Sequence, residues 1–399
     1  MSETGQAVAL LTGGQDKSYA FGLCAALVEQ GVSVDFVGSN EVDSPHLHAH
    51  PKINFLNLRG DQSRNAISLK KAWRLFRYYS RLMAYAVTAR PKIFHVLWNE
   101  RLVLFDRTLL MLWYRVNGRR IVYTAHNVNA GTRDAADTLL NQLSLKAQYG
   151  LADRIFVHTE RMKGELLAQF GVPARKISVI PFGINDTVPN TSLTREQARQ
   201  RLGLSPGHKT LLFFGRITPY KGLEDLVEAL SQLRKQDDSY RLIIAGAVKG
   251  CDDYWRKVEA AIERGGVRGN LIERIEFIPE ADTELYFKAA DALVLPYRSI
   301  FQSGVLVLGY NFGLPVIAAD VGSLKEDIIE GRTGFVCPAA DPGGLAQAIE
   351  RYFASGLCQN PELRGQEIRH YASERFSWTK VGQITSKVYA DVRGAKLAQ

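Results

Sequence analysis

Cysteine is scarce in this chain. Its 399 residues hold four, Cys24, Cys251, Cys337 and Cys358, with neither CxxC spacing nor local clustering. Such a pattern points to reduced cytoplasmic thiols rather than a disulfide framework. Long apolar runs are missing as well. The most apolar window, "RLVLFDRTLLMLWYRV", is broken by Asp106, Arg107 and Arg115, and is too short and too charged to span a bilayer. The opening "MSETGQAVALLTGGQDKS" has no cationic start followed by a long apolar core, so no signal peptide is expected. "TGGQDKS" lacks the GxGxxG spacing, and Asp35 in "VDF" is weak evidence for ribose recognition, which argues against a nicotinamide-dependent dehydrogenase. GxxxxGK[ST] is absent, so there is no P-loop. No low-complexity tract interrupts a composition that is 46% hydrophobic and 23% charged. The chain is globular and long enough for two domains with full cores.

Acidic residues are nearly absent from one region. Between Arg64 and Arg120, thirteen Lys and Arg face only Glu100 and Asp106, a local net of +11; the whole chain carries +9, so the remainder carries −2. Among those cations stand Trp73, Phe76, Tyr78, Tyr79, Trp98, Phe105, Trp113 and Tyr114. Cations beside interfacial aromatics are what docking on an anionic membrane surface requires. Residues 64–120 are therefore expected to hold the protein peripherally on the inner face of a membrane. A solvated helix face has the same composition, and basic–aromatic surfaces also bind nucleic acid. No helix-turn-helix, RRM or KH pattern accompanies them, and no nucleic-acid partner is expected.

What is present is a regular alternation. "AVALLTGG" reads as a strand ending in glycines, "SYAFGLCAALVEQG" as a helix closed by Gly31, and "VSVDFVGS" as a second strand. Beyond the basic helix come "KIFHVLWN", "RIVYTAHNV", "RIFVHTE" and "KISVIPFGI", separated by helical stretches. "GINDTVPNTSLT" has the turn formers of a linker. Thr194 and Gln197 then stand at capping-box spacing, with Gly203 closing that helix. The alternation restarts with "TLLFFG", "RLIIAG", "RIEFIP", "ALVLPY", "PVIAAD" and "GFVCPA". Strands alternating with helices predict an α/β chain with two doubly wound, parallel sheets. The expected domains are residues 1–183, a linker and first helix at 184–200, and residues 201–375, with a terminal helix at 376–399 returning to the first. Ligands of such sheets bind at the carboxyl ends of the strands, which makes the interdomain cleft the default site.

One segment poses a chemical question. In "LLFFGRITPYKGLEDLVEAL" a strand-like run breaks at Gly215, and Arg216 and Lys221 sit in a loop before an amphipathic helix. Paired cations in such a loop suit an anion. "TGG" after the first strand, "ADRIFVHTERMKGELLAQFGVPARKISVIPFGIN", "FGRITPYKGLEDLVEAL", "AADALVLPY", "GLPVIAADVGSLKEDIIEGRTGF" and "FSWTKV" occur in that order over nearly the full length. Together they resemble the GT-B glycosyltransferases of family 4, which use sugar nucleotides. The resemblance implies that Arg216 and Lys221 hold the donor diphosphate and stabilise its departure in place of a metal ion. No cofactor and no metal are expected; Asp237–Asp238 and Asp252–Asp253 mimic metal pairs only superficially.

Other candidates follow from the same resemblance. Gly13 and Gly14 lie where backbone amides and a helix N-terminus meet an anion. His126 and His95 match positions facing the cleft, with His158 behind them; Asp153 reads as structural, and Trp378 as packing at the return of the last helix. Gly322 and Glu326 match a segment facing the donor. The chain also departs from the family. Two glutamates usually precede "GxPV", and here those positions are Ile300 and Leu308; a shifted frame offers Gln302 and Tyr310. Ser303 and Gly304, opening an apolar helix, can still present amides to the diphosphate.

The expected activity is transfer of a sugar from a nucleoside diphosphate to a hydroxyl of a glycan acceptor. The basic region suggests that the acceptor hangs from a polyprenyl diphosphate, as in exopolysaccharide or other cell-surface polysaccharide synthesis. Retention needs only a stabilised ion pair; inversion needs a base, for which His126, His95 and Glu100 are candidates. Three readings stay open beside it: a nucleotide-sugar 2-epimerase, a non-catalytic family member acting as a partner protein, and a nucleic-acid binder, which would show steep salt dependence.

Overall fold

The structure is a computed structural model that describes residues 6–13, 17–62, 68–133, 137–184 and 188–394. Two compact units divide it: Met1–Gly183 with Ser377–Gln399, and Ile184–Phe376.

The first unit is built on seven parallel strands: β1 (Ala7–Leu11), β2 (Ser33–Gly38), β3 (Ile53–Asn57), β4 (Ile93–Val96), β5 (Arg120–Thr124), β6 (Arg154–Val157) and β7 (Ile177–Val179), in the order β3-β2-β1-β4-β5-β6-β7. β4, "IFHV", is buried along its whole length, the mark of a parallel strand covered on both faces. Helix Lys17–Glu29 packs against the C-terminal helix Trp378–Gly394, whose Val381, Val388, Tyr389 and Val392 join the core of β1 and β2. β3 was not anticipated. It is the edge strand, where Ile53 and Phe55 alternate with Asn54 and Asn57, too short a period-two pattern to stand out.

The second unit has six parallel strands: β8 (Lys209–Phe214), β9 (Tyr240–Ala245), β10 (Leu271–Arg274), β11 (Ala292–Leu295), β12 (Val316–Ala319) and β13 (Gly334–Cys337), in the order β10-β9-β8-β11-β12-β13. The expected strand "RIEFIP" lies too far along the chain. β10 pairs Leu271 with Leu242 through to Arg274 with Ala245 and stops where β9 stops, leaving Phe277 beyond it and exposed. The capping box ahead of helix Arg195–Arg201 forms: Thr194 Oγ1 accepts from the Gln197 amide at 3.2 Å, and the Gln197 side chain accepts from the Thr194 amide at 3.0 Å. That helix belongs to the second unit.

Each sheet reverses its order once, between β1 and β4 in the first and between β8 and β11 in the second. Loops leaving the carboxyl ends of those neighbours run to opposite sides and open a crevice there.

Candidate functional site

At the crevice of the second unit, β8 ends at Phe214, Gly215 follows it, and the chain turns through Pro219–Lys221 into helix Leu223–Arg234. Lys221 is buried, at 6% exposure, with its Nζ 3.4 Å from the Phe214 carbonyl and 5.5 Å from the Tyr297 ring centre. No carboxylate pairs with it among the described residues. Burial, and then the nearby Arg216 charge, push its ammonium down to about 8. A buried cation without a counter-ion is costly unless a ligand supplies one. Arg216 is exposed and anchored by a hydrogen bond to the Lys249 carbonyl at 2.8 Å.

The loop after β11 completes this half. Ser303 caps helix Gly304–Asn311, its Oγ accepting from the Leu306 amide at 3.3 Å. A methyl on Gly215 would stand 3.0 Å from Lys221 Nζ and 3.8 Å from Val305, so the lysine and the start of this helix flank one small space. Gln302 Oε1 is buried and accepts no hydrogen bond among the described residues. Gly322, after β12, has φ +58°, and a Cβ there would lie 2.0 Å from the Ile300 carbonyl. Only glycine lets this turn close on the Gln302 loop. Ser323 ties the contact by donating from both N (3.1 Å) and Oγ (2.9 Å) to the Phe301 carbonyl. Glu326 is exposed on the following turn, whereas its neighbour Asp327 is buried against Arg375 at 3.0 Å and pushed up to about 6 by desolvation.

In the first unit the residues just past the strand ends converge. Gly13 follows β1 with φ +61°, and a Cβ there would lie 2.7 Å from the Trp98 carbonyl oxygen. Trp98, two residues past β4, stacks on His126, two residues past β5, with ring centres 4.3 Å apart and planes 5° from parallel. Tyr19 meets the same imidazole edge-on at 4.7 Å and Trp378 at 5.3 Å. His126 Nδ1 lies 3.0 Å from His158 Nε2, and His158 Nδ1 lies 3.3 Å from the Ile180 carbonyl. A carbonyl only accepts, so His158 Nδ1 carries the proton and its Nε2 is the acceptor. His126 must then donate from Nδ1, which leaves a lone pair on its buried Nε2, unpartnered among the described residues. Desolvation holds both rings neutral, His158 at about 4 and His126 well below its ordinary value, where the neighbouring rings add to the effect.

Two family descriptions match this chain: "Glycosyltransferase Family 4" over residues 16–188 and "Glycosyl transferases group 1" over residues 208–355. The chain belongs to the family 4, group 1 glycosyltransferases. A D-inositol 3-phosphate glycosyltransferase of Streptomyces bingchenggensis is 31% identical over 247 residues, covering 61% of this chain and 53% of its own length. That of Nocardia farcinica is 29% identical over 282 residues, covering 68% and 61%. The chain thus spans between half and two thirds of the length of these relatives. Sucrose-phosphate synthase from Thermosynechococcus elongatus superposes with a TM-score of 0.75 at 21% identity, covering 98% of this chain and 100% of its own. Anabaena HepE in complex with UDP-glucose gives 0.73 at 18% identity, covering 97% and 100%. At such identities the likeness establishes the fold, which is GT-B.

Within this family member several expected site residues stand elsewhere. His95 sits inside β4 with no exposed surface, Nδ1 at 2.6 Å from the Tyr389 hydroxyl and Nε2 at 2.7 Å from Thr124 Oγ1. Both nitrogens are used and desolvation pushes the ring down to about 3, so His95 is a core side chain, not a reacting group. Tyr310 is equally unavailable: its buried hydroxyl bonds the Asp327 carbonyl and Thr333. Leu308 lies in the core, so this family member carries no carboxylate at that glutamate position. Glu100 is buried and tied to Arg59 and to the Tyr78 hydroxyl, each at 2.7 Å. Asp153 accepts from the Ile121 amide at 2.7 Å, a structural role. Gly14 and residues 64–67 lie outside the described residues. Sequence reading missed the part of Trp98, whose one signal is its place two residues after a strand, as with His126.

Proposed function

We propose that this chain is a glycosyltransferase that moves a hexosyl group from a nucleoside diphosphate sugar to a hydroxyl of a phosphorylated or lipid-linked glycan acceptor at an anionic membrane surface. The observation that carries the reading is Lys221, a buried ammonium at the crevice of the second sheet with no carboxylate partner among the described residues. With Arg216 and the amides opening helix Gly304–Asn311, it meets the charge that builds on a departing diphosphate. Gln302 supplies a neutral acceptor for a hydroxyl, and Glu326 stands beside the same loops.

The first unit supports an acceptor role. His126 Nε2 is a lone pair, but the depressed basicity of the ring makes it a poor general base. It serves better as a hydrogen-bond acceptor for a substrate hydroxyl. That favours same-face transfer with retention, in which the bond from the anomeric carbon to the diphosphate breaks, the bond to the acceptor oxygen forms, and the acceptor's proton passes to the diphosphate. Membrane docking rests on helix Ser68–Thr88, where Leu69, Trp73 and Phe76 form an exposed ridge spaced i, i+4, i+7, flanked by Lys70, Arg77 and Arg81. No helix of the described residues is long and apolar enough to cross a membrane.

Thermal-shift titration with UDP-, GDP-, dTDP- and ADP-sugars tests the donor, since a ligand of the native state raises its melting point. One donor should stabilise the wild type and fail on Lys221→Ala. Release of free nucleoside diphosphate without an isomerised sugar nucleotide separates transfer from 2-epimerisation. No stabilisation by any of them, with no hydrolysis, leaves the non-catalytic reading.

A further inference from the structure

At the carboxyl rim of the first sheet lies a cavity of about 410 Å³ lined by Arg59, Lys71, Arg74, Leu75, Tyr78 and Arg101 among others. Its cations come from three places. Arg59 follows β3, Arg101 follows β4, and Lys71 and Arg74 project from one face of helix Ser68–Thr88, in a stripe with Leu75 and Tyr78 at i, i+3, i+4, i+7. The exposed ridge of Leu69, Trp73 and Phe76 lies on the other side of the same helix.

Two of the four cations are held by carboxylates. Arg59 is pinned by Glu100 at 2.7 Å and lies 5.7 Å from the Tyr78 ring centre, while Arg74 meets Asp61. Lys71 and Arg101 are exposed and have no ion-pair partner among the described residues. Four positive charges against two negative ones leave the cavity about two charges in excess, which matches a phosphate group at neutral pH. The volume lies in the range of small-molecule sites and exceeds what a bare phosphoryl group needs, so a sugar or polyol attached to it fits as well. The cavity also adjoins the histidine cluster. Tyr78 lines both it and a small hollow that Glu100 and Trp98 share, and Trp98 stacks on His126.

We infer that this cavity is the subsite for a phosphoryl group carried by the acceptor, gripped by Lys71, Arg74 and Arg101 around a fixed Arg59. Only the word acceptor rests on the glycosyltransferase reading; the anion site stands on the cavity itself. The phosphoryl group belongs either to a lipid carrier or to a soluble phosphorylated sugar or polyol.

The test uses inorganic pyrophosphate as the probe, titrated calorimetrically into the full chain. The double variant Lys71→Ala/Arg101→Ala should weaken the cavity's binding by about tenfold or more for each cation removed, as for lost charge-assisted hydrogen bonds. Both side chains are exposed, so an unchanged melting point is expected and confirms that the variant is folded. Lys221→Ala provides the contrast: it removes pyrophosphate bound in the donor crevice and should spare the cavity's binding. Pyrophosphate binding that survives the double variant intact, or that vanishes wholly with Lys221→Ala, overturns the inference. The glycosyltransferase reading is tested separately on the wild type, by thermal shift and hydrolysis with the nucleotide sugars. The absence of both would sink that reading while the pyrophosphate arm still decides the cavity. Competition between pyrophosphate and phosphatidylglycerol vesicles assigns the phosphoryl group to a lipid; independence assigns it to a soluble acceptor, and either keeps the subsite.

Discussion

The two units share a topology and solve opposite problems with it. In the second, the crevice is lined by backbone and by one buried ammonium; its loops are stapled together by Gly322 and Ser323, and the acids in the first turn of the following helix, Glu224 and Asp225, are spent on Arg298. In the first, the same rim is filled with rings, Tyr19, Trp98, His126, His158 and Trp378, and beyond them lie cations and exposed apolar side chains. Among the described residues, thirteen of the seventeen exposed large apolar side chains fall between Leu69 and Leu143. A fixed anion needs few, immobile partners, whereas an acceptor and a surface need shape and area. On the proposed function, the contrast is between a unit built around charge stabilisation and one built around contact.

The sharpest way to break that comparison is Lys221→Ala. Loss of one preorganised donor to developing charge costs about 10²–10³-fold in kcat. The melting point should stay level or rise, because an unpaired buried ammonium is removed. Normal turnover, or collapse of the fold, would put Lys221 on the structural side. His95→Ala sets the opposite expectation in the first unit. It deletes a buried ring and orphans Tyr389 and Thr124, costing about 2–4 kcal/mol. Thermal unfolding should report a clear drop, while turnover per folded molecule at low temperature persists. Lost activity at an unchanged melting point would return His95 to the catalytic set.

How far the sequence carried this reading differs between the units for the same reason. Near-continuous apolar runs such as "TLLFF" and "ALVL" announce buried parallel strands, and the loop carrying Arg216 and Lys221 is local, so the second unit's strands and loop cations were legible from adjacent letters. The first unit's site is assembled across the sheet. Arg59 and Arg101 are distant in sequence and adjacent only because β3 and β4 end on one rim; likewise His158 meets His126 from a neighbouring strand. His95 shows the limit of motif reasoning: one residue inside the strand rather than beyond it, its side chain turns to the core, where helix Trp378–Gly394 brings Tyr389. Edge strand β3 escaped because two of its five residues, Asn54 and Asn57, are polar.

Membrane docking offers a smaller lever, confined to the first unit. Replacing Trp73 and Phe76, each 62% exposed, by serine should leave stability unchanged. Burial of a large apolar side chain is worth about 1.5–3 kcal/mol, so the pair should weaken sedimentation with phosphatidylglycerol vesicles by about two orders of magnitude. Neutralising Lys70, Arg77 and Arg81 should remove mainly the salt-sensitive part of the binding. Indifference of the wild type to such vesicles would end the membrane reading and leave the donor chemistry untouched.

The finest distinction is in pH. Lys221 titrates at about 8 in the free protein, below an ordinary lysine, because burial disfavours its charge. Below that pH it is charged and attracts the diphosphate; above it the charge is lost, and a bound diphosphate must restore the proton at a cost that grows with pH. Donor affinity should therefore fall above about pH 8, by up to about tenfold per unit until the pKa of the complex is reached. The histidines behave oppositely. Their folded values are depressed, His158 to about 4, so they are neutral throughout the range in which an ordinary imidazole gains its proton. They should impose no acid limb on donor hydrolysis between about pH 5 and 7, where an unperturbed imidazole titrates. Lys221→Arg, whose guanidinium keeps its charge, should erase the alkaline limb in whatever activity remains. An alkaline limb that survives in that variant, or a limb near pH 6.5 in the wild type, would transfer the titrating role from the second unit to the first.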